Sequence, residues 1–364
     1  MLNGKWLMLD RSRFTIYNLQ FTIVFLVLVF LASSCHNSNV KSSQMPGAAD
    51  SASRHNGDTI AAKITYYTGI IASQPNNADA YWNRGKLEAA GKNLVPALSD
   101  LTKAVMLDST KSAYFYNLAD VEFITGHTHE ARDAFETSIR LDPKNTDAIL
   151  KLAELYLFVQ KYEESVTLIN QALKVNPYIA RAYFLKGMIY IEKKDTGKAI
   201  SSLQTAVEQD PDYFDAYIQL GLLFAHRGDP IALTYYDDAT RVQPQNPEPY
   251  YDEGMFYQFG GDYDEAIKVY KELLEVDSTY KHAYYNLGVI YNEDKTDYKA
   301  SIDNFSNAIK YDTAYFMAYY GRANSYEMLK QYDKALADYA HSYRLNPQFK
   351  EAEDAYKKLK SKTR

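Results

Sequence analysis

From Ala78 to Pro347 apolar residues recur at steps of three and four, in stretches of about a dozen residues separated by short polar turns. That period predicts amphipathic helices in pairs. The stretch Ala180 to Pro211, ARAYFLKGMIYIEKKDTGKAISSLQTAVEQDP, shows the unit. Tyr183, Gly187 and Tyr190 share one face of a first helix, and Ala199, Leu203 and Ala206 share one face of a second. Lys194, Asp195, Thr196 and Gly197 make the turn. Asp210 and Pro211 end the second helix, because proline has no N–H for a helix interior. Two antiparallel helices approach closely only over small side chains. Gly187, Ala199 and Ala206 supply them, and Tyr183, Tyr190 and Leu203 fill the space around.

The same positions return at steps of about 34 residues. The first small slot holds Gly85, Ala119, Ala153, Gly187, Gly221, Gly254, Gly288 and Ala323. The second holds Ala97, Ala131, Ser165, Ala199, Ala232, Ala266, Ser301 and Ala335, with Ala300 competing with Ser301 in the seventh unit. The third holds Ala104, Ser138, Ala172, Ala206, Ala239, Leu273, Ala308 and Ser342, of which Leu273 alone is large. The joints read LDST, LDPKN, VNPYI, QDPDY, VQPQN, VDSTY, YDTAY and LNPQF, residues that stop one helix and cap the next. The fifth unit loses a residue around Gly228-Asp229-Pro230 and the seventh gains one between Asn292 and Asp297, both in turns.

This pattern resembles the tetratricopeptide repeat (TPR). The resemblance implies an all-α, right-handed superhelical solenoid of about eight helix–turn–helix units. Residues 58–77 form an extra N-terminal half-repeat helix, with Ile60, Ile64, Tyr67 and Ile71 on one face. Residues 78–347 form the eight repeats. Residues 348–364 form a C-terminal capping helix and tail, with Phe349, Ala352, Tyr356 and Leu359 as its apolar stripe.

The segment before the repeats carries a different signal. Lys5, Arg11 and Arg13 precede an apolar run from Phe21 to Ala32, broken only by Thr22, which ends in Leu31-Ala32-Ser33-Ser34-Cys35. Residues 1–35 resemble a bacterial lipoprotein signal peptide with Cys35 as the lipid-bearing residue. Ala32 stands where that family prefers leucine, and Ser34 where it prefers glycine or alanine. The alternative is a single-pass N-terminal signal anchor, since Ile16 to Ser34 nearly spans a bilayer. Residues 36–57, rich in Ser, Asn, Gly and Ala, read as a flexible tether. The resemblance implies a lipid-anchored protein of the bacterial cell envelope. No acidic pair follows Cys35, so a periplasm-facing orientation is expected.

Composition removes several function classes. Cys35 is the only cysteine, which excludes a disulfide framework and a cysteine zinc site. Formal net charge is −6, and about −8 beyond Cys35, so nucleic-acid binding has no basic stripe to rest on. His127 and His129 sit beside Glu130 in a turn, where solvated side chains are expected rather than a metal site. No nucleophile has a histidine partner at a recognisable spacing, and no glycine-rich loop follows a strand. A non-catalytic protein without metal or cofactor is expected.

In the family the residue after the first aromatic slot points into the concave face. Here it is Trp82, Tyr116, Leu150, Phe184, Ile218, Tyr251, Tyr285 and Tyr320, with Asn324 one turn beyond Tyr320. An aromatic column suits an extended peptide or partner helix of an envelope protein. The same positions serve equally well as core against the next repeat. The carboxylate-clamp pattern is absent, because the first slot holds no basic residue. Tyrosine-lined surfaces also bind sugars, so a glycan-binding envelope lipoprotein is the alternative to a protein-binding scaffold.

Overall fold

The computed structural model describes residues 49–363, with side chains from residue 59 onward. The signal segment, Cys35 and the first part of the tether lie outside these residues. Among the described residues every regular element is an α-helix, and the chain divides between Lys194 and Asp195 into two compact units. The first unit holds α1 (Ala49–Ser73), α2 (Ala78–Ala90), α3 (Leu94–Leu107), α4 (Ser112–Ile124), α5 (Thr128–Leu141), α6 (Thr146–Phe158), α7 (Tyr162–Val175) and α8 (Ala180–Glu192). The second holds α9 (Thr196–Gln209), α10 (Phe214–Ala225), α11 (Ile231–Val242), α12 (Glu248–Gly260), α13 (Tyr263–Val276), α14 (Lys281–Glu293), α15 (Tyr298–Tyr311), α16 (Phe316–Met328), α17 (Tyr332–Leu345) and α18 (Lys350–Lys362).

Within each unit the closest packing is inside a pair, such as α2 with α3 or α16 with α17, and the next closest is from a second helix onto the following first helix. The all-α repeat stack read from the spacing is what both units show. The core is correspondingly shared. Ile149, Leu150 and Ala153 of α6, Ile169 and Ala172 of α7, and Ala182, Leu185 and Ile189 of α8 form one buried cluster. In the second unit Phe305, Ala308 and Ile309 of α15 are closed over by Tyr315 and Ala318. Each pair is thus sealed by the next repeat, and the last by α18, whose Ala352 and Leu359 are buried.

The small slots are small because a large side chain of the partner helix occupies their space. A Cβ on Gly85 would lie 2.8 Å from Leu101 Cγ, and one on Gly254 would lie 2.5 Å from Tyr270 Cε1. Where serine replaces alanine its hydroxyl is satisfied across the pair. Ser165 Oγ donates to the Ala153 carbonyl at 2.7 Å, and Ser301 Oγ to the Gly288 carbonyl at 2.8 Å. That bond assigns Ser301, not Ala300, to the second small slot of the seventh repeat.

The turns share a device that the altered lengths of the fifth and seventh leave intact. Each has one left-handed residue: Lys92, Gly126, Gln160 and Lys194 in the first unit, and Gly228, Gly261, Thr296 and Lys330 in the second. At the joints an Asp or Asn just past the helix accepts the N–H two residues on, as Asp142 does from Lys144 and Asp210 from Asp212.

One boundary differs from the sequence reading. α1 starts at Ala49, inside the segment 36–57 expected as a tether. Alanine is a strong helix former, and extending an existing helix costs far less than nucleating one, so the polar stretch continues the turns begun over Ile60 to Ile71.

Candidate functional site

In each unit the first helices of successive repeats adjoin, α2 with α4, α4 with α6 and α6 with α8, then α10 with α12 and α14 with α16. Their common face is where the expected aromatic column falls.

In the first unit Trp82 is half-buried. Its indole N–H donates to Asn117 Oδ1 at 2.7 Å, and the Lys86 ammonium stands 4.2 Å over the ring. Tyr116 leans on Phe135 with centroids 6.2 Å apart, and burial pushes its phenol well above the ordinary range. Leu150 and Phe184 do not line a surface. They are 1% and 0% exposed. Phe184 was expected on the binding face and is corrected to core.

Beside this half-column runs a charged ladder. Lys151 Nζ lies 3.1 Å from Asp120 Oδ1 and 3.9 Å from Glu154 Oε2, and Arg181 pairs with Glu154. The Lys151 side chain is only 4% exposed. The two carboxylates that face it offset the cost of enclosing its charge.

In the second unit the rings interlock. Tyr251 lies 5.4 Å from Tyr280 and 6.2 Å from His282, while Tyr285 lies 5.1 Å from Tyr315 and 5.7 Å from Phe305. Tyr320 is buried against Tyr339 and Phe349, and burial holds its phenol up at about 12. Asn324 Oδ1 accepts from the Tyr339 hydroxyl at 2.6 Å, so it is engaged within the fold. Tyr251 and Tyr285 stay half-buried and Tyr320 is 9% exposed, a correction to its placement on an open face.

Tyr280 and Tyr315 come from the joints and His282 from the first turn of α14, and all three escaped the column reading. Burial and then Lys281 lower the His282 pKa, so the ring is neutral at pH 7. Three carboxylates, Asp215 on α10 with Glu248 and Asp252 on α12, also belong to this region. Burial comes first among the causes that raise all three, although Glu248 keeps an exposed side; Glu248 also feels Asp215, and Asp252 feels Glu248.

These raised carboxyls have a measurable consequence. Glu122, Glu248 and Glu253 stand at about 7 instead of 4.5, through burial and then neighbouring carboxylates. Between those two values the folded chain binds more protons than the unfolded chain, so stability falls as pH rises through the window. Depressed carboxyls such as Asp79 and Asp312 give up their contribution only below about 3.8. Thermal unfolding is therefore expected at a higher temperature at pH 5 than at pH 7.5, and the reverse order contradicts these environments.

Among the described residues no group of three or more His, Cys, Asp or Glu is placed to hold a metal ion. His127 instead meets Thr125 Oγ1 at 2.8 Å. None of the described helices is long and apolar enough to cross a membrane.

Comparison with known proteins agrees with the packing. Models of the tetratricopeptide repeat match residues 112–145, 150–213, 281–315 and 316–349, and a TPR repeat model matches 255–295. Human protein O-mannosyl-transferase TMTC3 is 26% identical over 244 residues, covering 64% of this chain and 26% of that protein. Mouse DnaJ homolog subfamily C member 7 is 25% identical over 308 residues, covering 76% of this chain and 62% of that protein. The match thus spans less than two thirds of either relative. The C-terminal part of a TPR repeat-containing protein from Cytophaga hutchinsonii superposes with a TM-score of 0.56 at 22% identity, covering 66% of this chain and 98% of that one. Helix pairs closed over small residues, repeat models along both units and a shared fold lead to one statement: the chain is built of tetratricopeptide repeats.

Proposed function

We propose that the chain is a non-catalytic scaffold that holds a segment of a partner protein on the face formed by its first helices, and that Cys35 ties it by lipid to a bacterial envelope membrane, facing the periplasm. The observation that carries the binding reading is the half-buried pair Trp82 and Tyr116 on first helices of the first unit and the half-buried pair Tyr251 and Tyr285 on first helices of the second. Such rings offer large contact area at low entropic cost while keeping a polar edge. Oblique packing of Tyr251 and Tyr285 on other rings favours side-chain recognition over flat stacking on a sugar. The anchor reading is supported by the apolar run that ends at the only cysteine.

Site-directed photo-crosslinking in the native host tests both parts. A photoreactive phenylalanine analogue in place of Tyr251 or Tyr285 is expected to give a discrete protein adduct. The same residue in place of exposed Lys268 is expected to give none. Equal labelling from all three positions contradicts the face. In the same strain Cys35→Ser is expected to accumulate as unprocessed precursor, and a cleaved soluble product contradicts the anchor.

A further inference from the structure

The second unit contains one place where its internal pattern of polar ties is broken. Tyr270 on α13 shows the intact form. Its hydroxyl donates to Gln258 Oε1 at 2.8 Å and accepts from Asn286 Nδ2 at 3.0 Å. Tyr339 on α17 is likewise tied, to Asn324 and Glu327. Tyr236 on α11 holds the equivalent position one repeat before Tyr270. Ala225 stands where Gln258 stands, and Asp252 where Asn286 stands. Tyr236 is 0% exposed, yet its hydroxyl has no hydrogen-bond partner. By that equivalence the Asp252 carboxylate takes the place of the amide that meets the Tyr270 hydroxyl, and the charges Tyr236 feels are those of Asp252, Glu248 and Glu253, in that order.

Those carboxylates are unmatched as well. Asp252 is 8% exposed, and among the described residues no lysine or arginine lies within ion-pair distance of Asp215, Glu248 or Asp252. Glu248 and Asp252 are one helical turn apart, a spacing at which like charges destabilise. Tyr280 also feels Asp252 and Glu248, and its ring leans on Tyr251. In the first unit the same helix face solves the problem internally, with Lys151 and Arg181 between Asp120 and Glu154. Here the counter-charge is missing while acceptors and rings are in place. A metal ion does not fit, since these groups do not converge at ligand distances.

We propose that Asp215, Glu248 and Asp252, backed by the Tyr236 hydroxyl, receive a lysine or arginine side chain of the bound protein segment. The carboxylates and the hydroxyl accept its N–H groups, and Tyr251 and Tyr280 flank its charge or stem. This rests on the reading that the face holds a protein segment, and it specifies what that segment must carry.

Fluorescence anisotropy on the full chain provides the test, with a labelled Gly-Ser-Arg-Arg-Ser-Gly peptide, its Lys-Lys form and its Glu-Glu form. The two basic peptides are expected to bind saturably, and the acidic one is not. Asp252→Asn with Glu248→Gln is expected to weaken basic-peptide binding about tenfold or more, and Tyr236→Phe to weaken it less. The double variant is expected to melt no lower than the wild type, so its loss of binding is not unfolding. Equal affinity in variant and wild type, equal binding of acidic and basic peptides, or a lower melting temperature of the double variant overturns the proposal. Photo-crosslinking from position 251 separates this from the broader reading. Adducts undiminished in the double variant mean that the face binds a segment but not through these charges. No adduct even in the wild type means that the broader reading itself fails.

Discussion

Lys151→Ala is expected to cost about 3–5 kcal/mol of unfolding free energy, a large share of the stability of a repeat array. The side chain is 4% exposed, and it lies 3.1 Å from Asp120 and 3.9 Å from Glu154. Removing it leaves two enclosed carboxylates facing each other with only Arg181, on α8, as counter-charge. The cost therefore comes from the groups left behind more than from the ion pairs lost. The triple variant Asp120→Asn, Lys151→Met, Glu154→Gln separates the two contributions, since it removes the three more enclosed charges together and leaves only Arg181, whose side chain is 26% exposed. It is expected to recover most of the loss, because a buried ion pair exchanged for neutral groups of similar volume is often neutral in stability. Urea unfolding of the full chain followed by circular dichroism measures both. A cost below about 1 kcal/mol for Lys151→Ala contradicts the buried ladder.

Gly254→Ala is expected to cost about 2–3 kcal/mol, although alanine is the better helix former. The added methyl would stand 2.5 Å from Tyr270 Cε1 and 2.7 Å from Cδ1. The ring has no room to retreat, because its hydroxyl is held by Gln258 and Asn286 from opposite partners. Gly69→Ala in α1 is the matched control, since nothing lies within 4 Å of its added Cβ. There the helix preference acts alone and stability is expected to rise by up to about 1 kcal/mol. Two destabilised variants, or two stabilised ones, in the same urea experiment would remove close helix approach as the reason for the small slots.

These two sites also show what the sequence discloses and what it does not. Gly254 was legible because the demand for a small residue is local to one helix pair and recurs unit after unit. Its meaning does not depend on which neighbour fills the space. Lys151 was not legible. Asp120, Lys151, Glu154 and Arg181 lie on three helices, and their charges meet only because the stack aligns α4, α6 and α8. The aromatic column was half legible. Trp82, Tyr116, Tyr251 and Tyr285 keep one side to water, whereas Phe184 turns wholly inward. The slot serves both purposes, and the side chains of the following repeat choose between them. Tyr236 and Asp252 are the most instructive pair. Each is unremarked as a residue type, and only the comparison with Tyr270 and Asn286 one repeat on reveals a hydroxyl without a hydrogen-bond partner beside a carboxylate without an ion-pair partner. The start of α1 was missed because a polar, alanine-containing stretch looks like a tether until an adjoining helix supplies the nucleus.

Unmatched carboxylates at a recognition face imply a stability cost that a partner relieves. Such trade-offs are common where binding needs groups that the fold alone would replace. On this face the first unit neutralises Asp120 and Glu154 with its own cations, and the second leaves Asp215, Glu248 and Asp252 without an ion-pair partner among the described residues. On this account the two halves of the repeat array divide their roles along the chain, with the selective contact at α10 to α14.

The central claim is that a partner segment lies on the first helices and not on the second ones. Amide hydrogen exchange of the full chain, with and without the partner segment identified by cross-linking, tests it most directly. Within the second unit the account predicts slowed exchange in α10, α12 and α14, with α11, α13 and α15 unchanged. Protection concentrated in α11, α13 and α15 would contradict it.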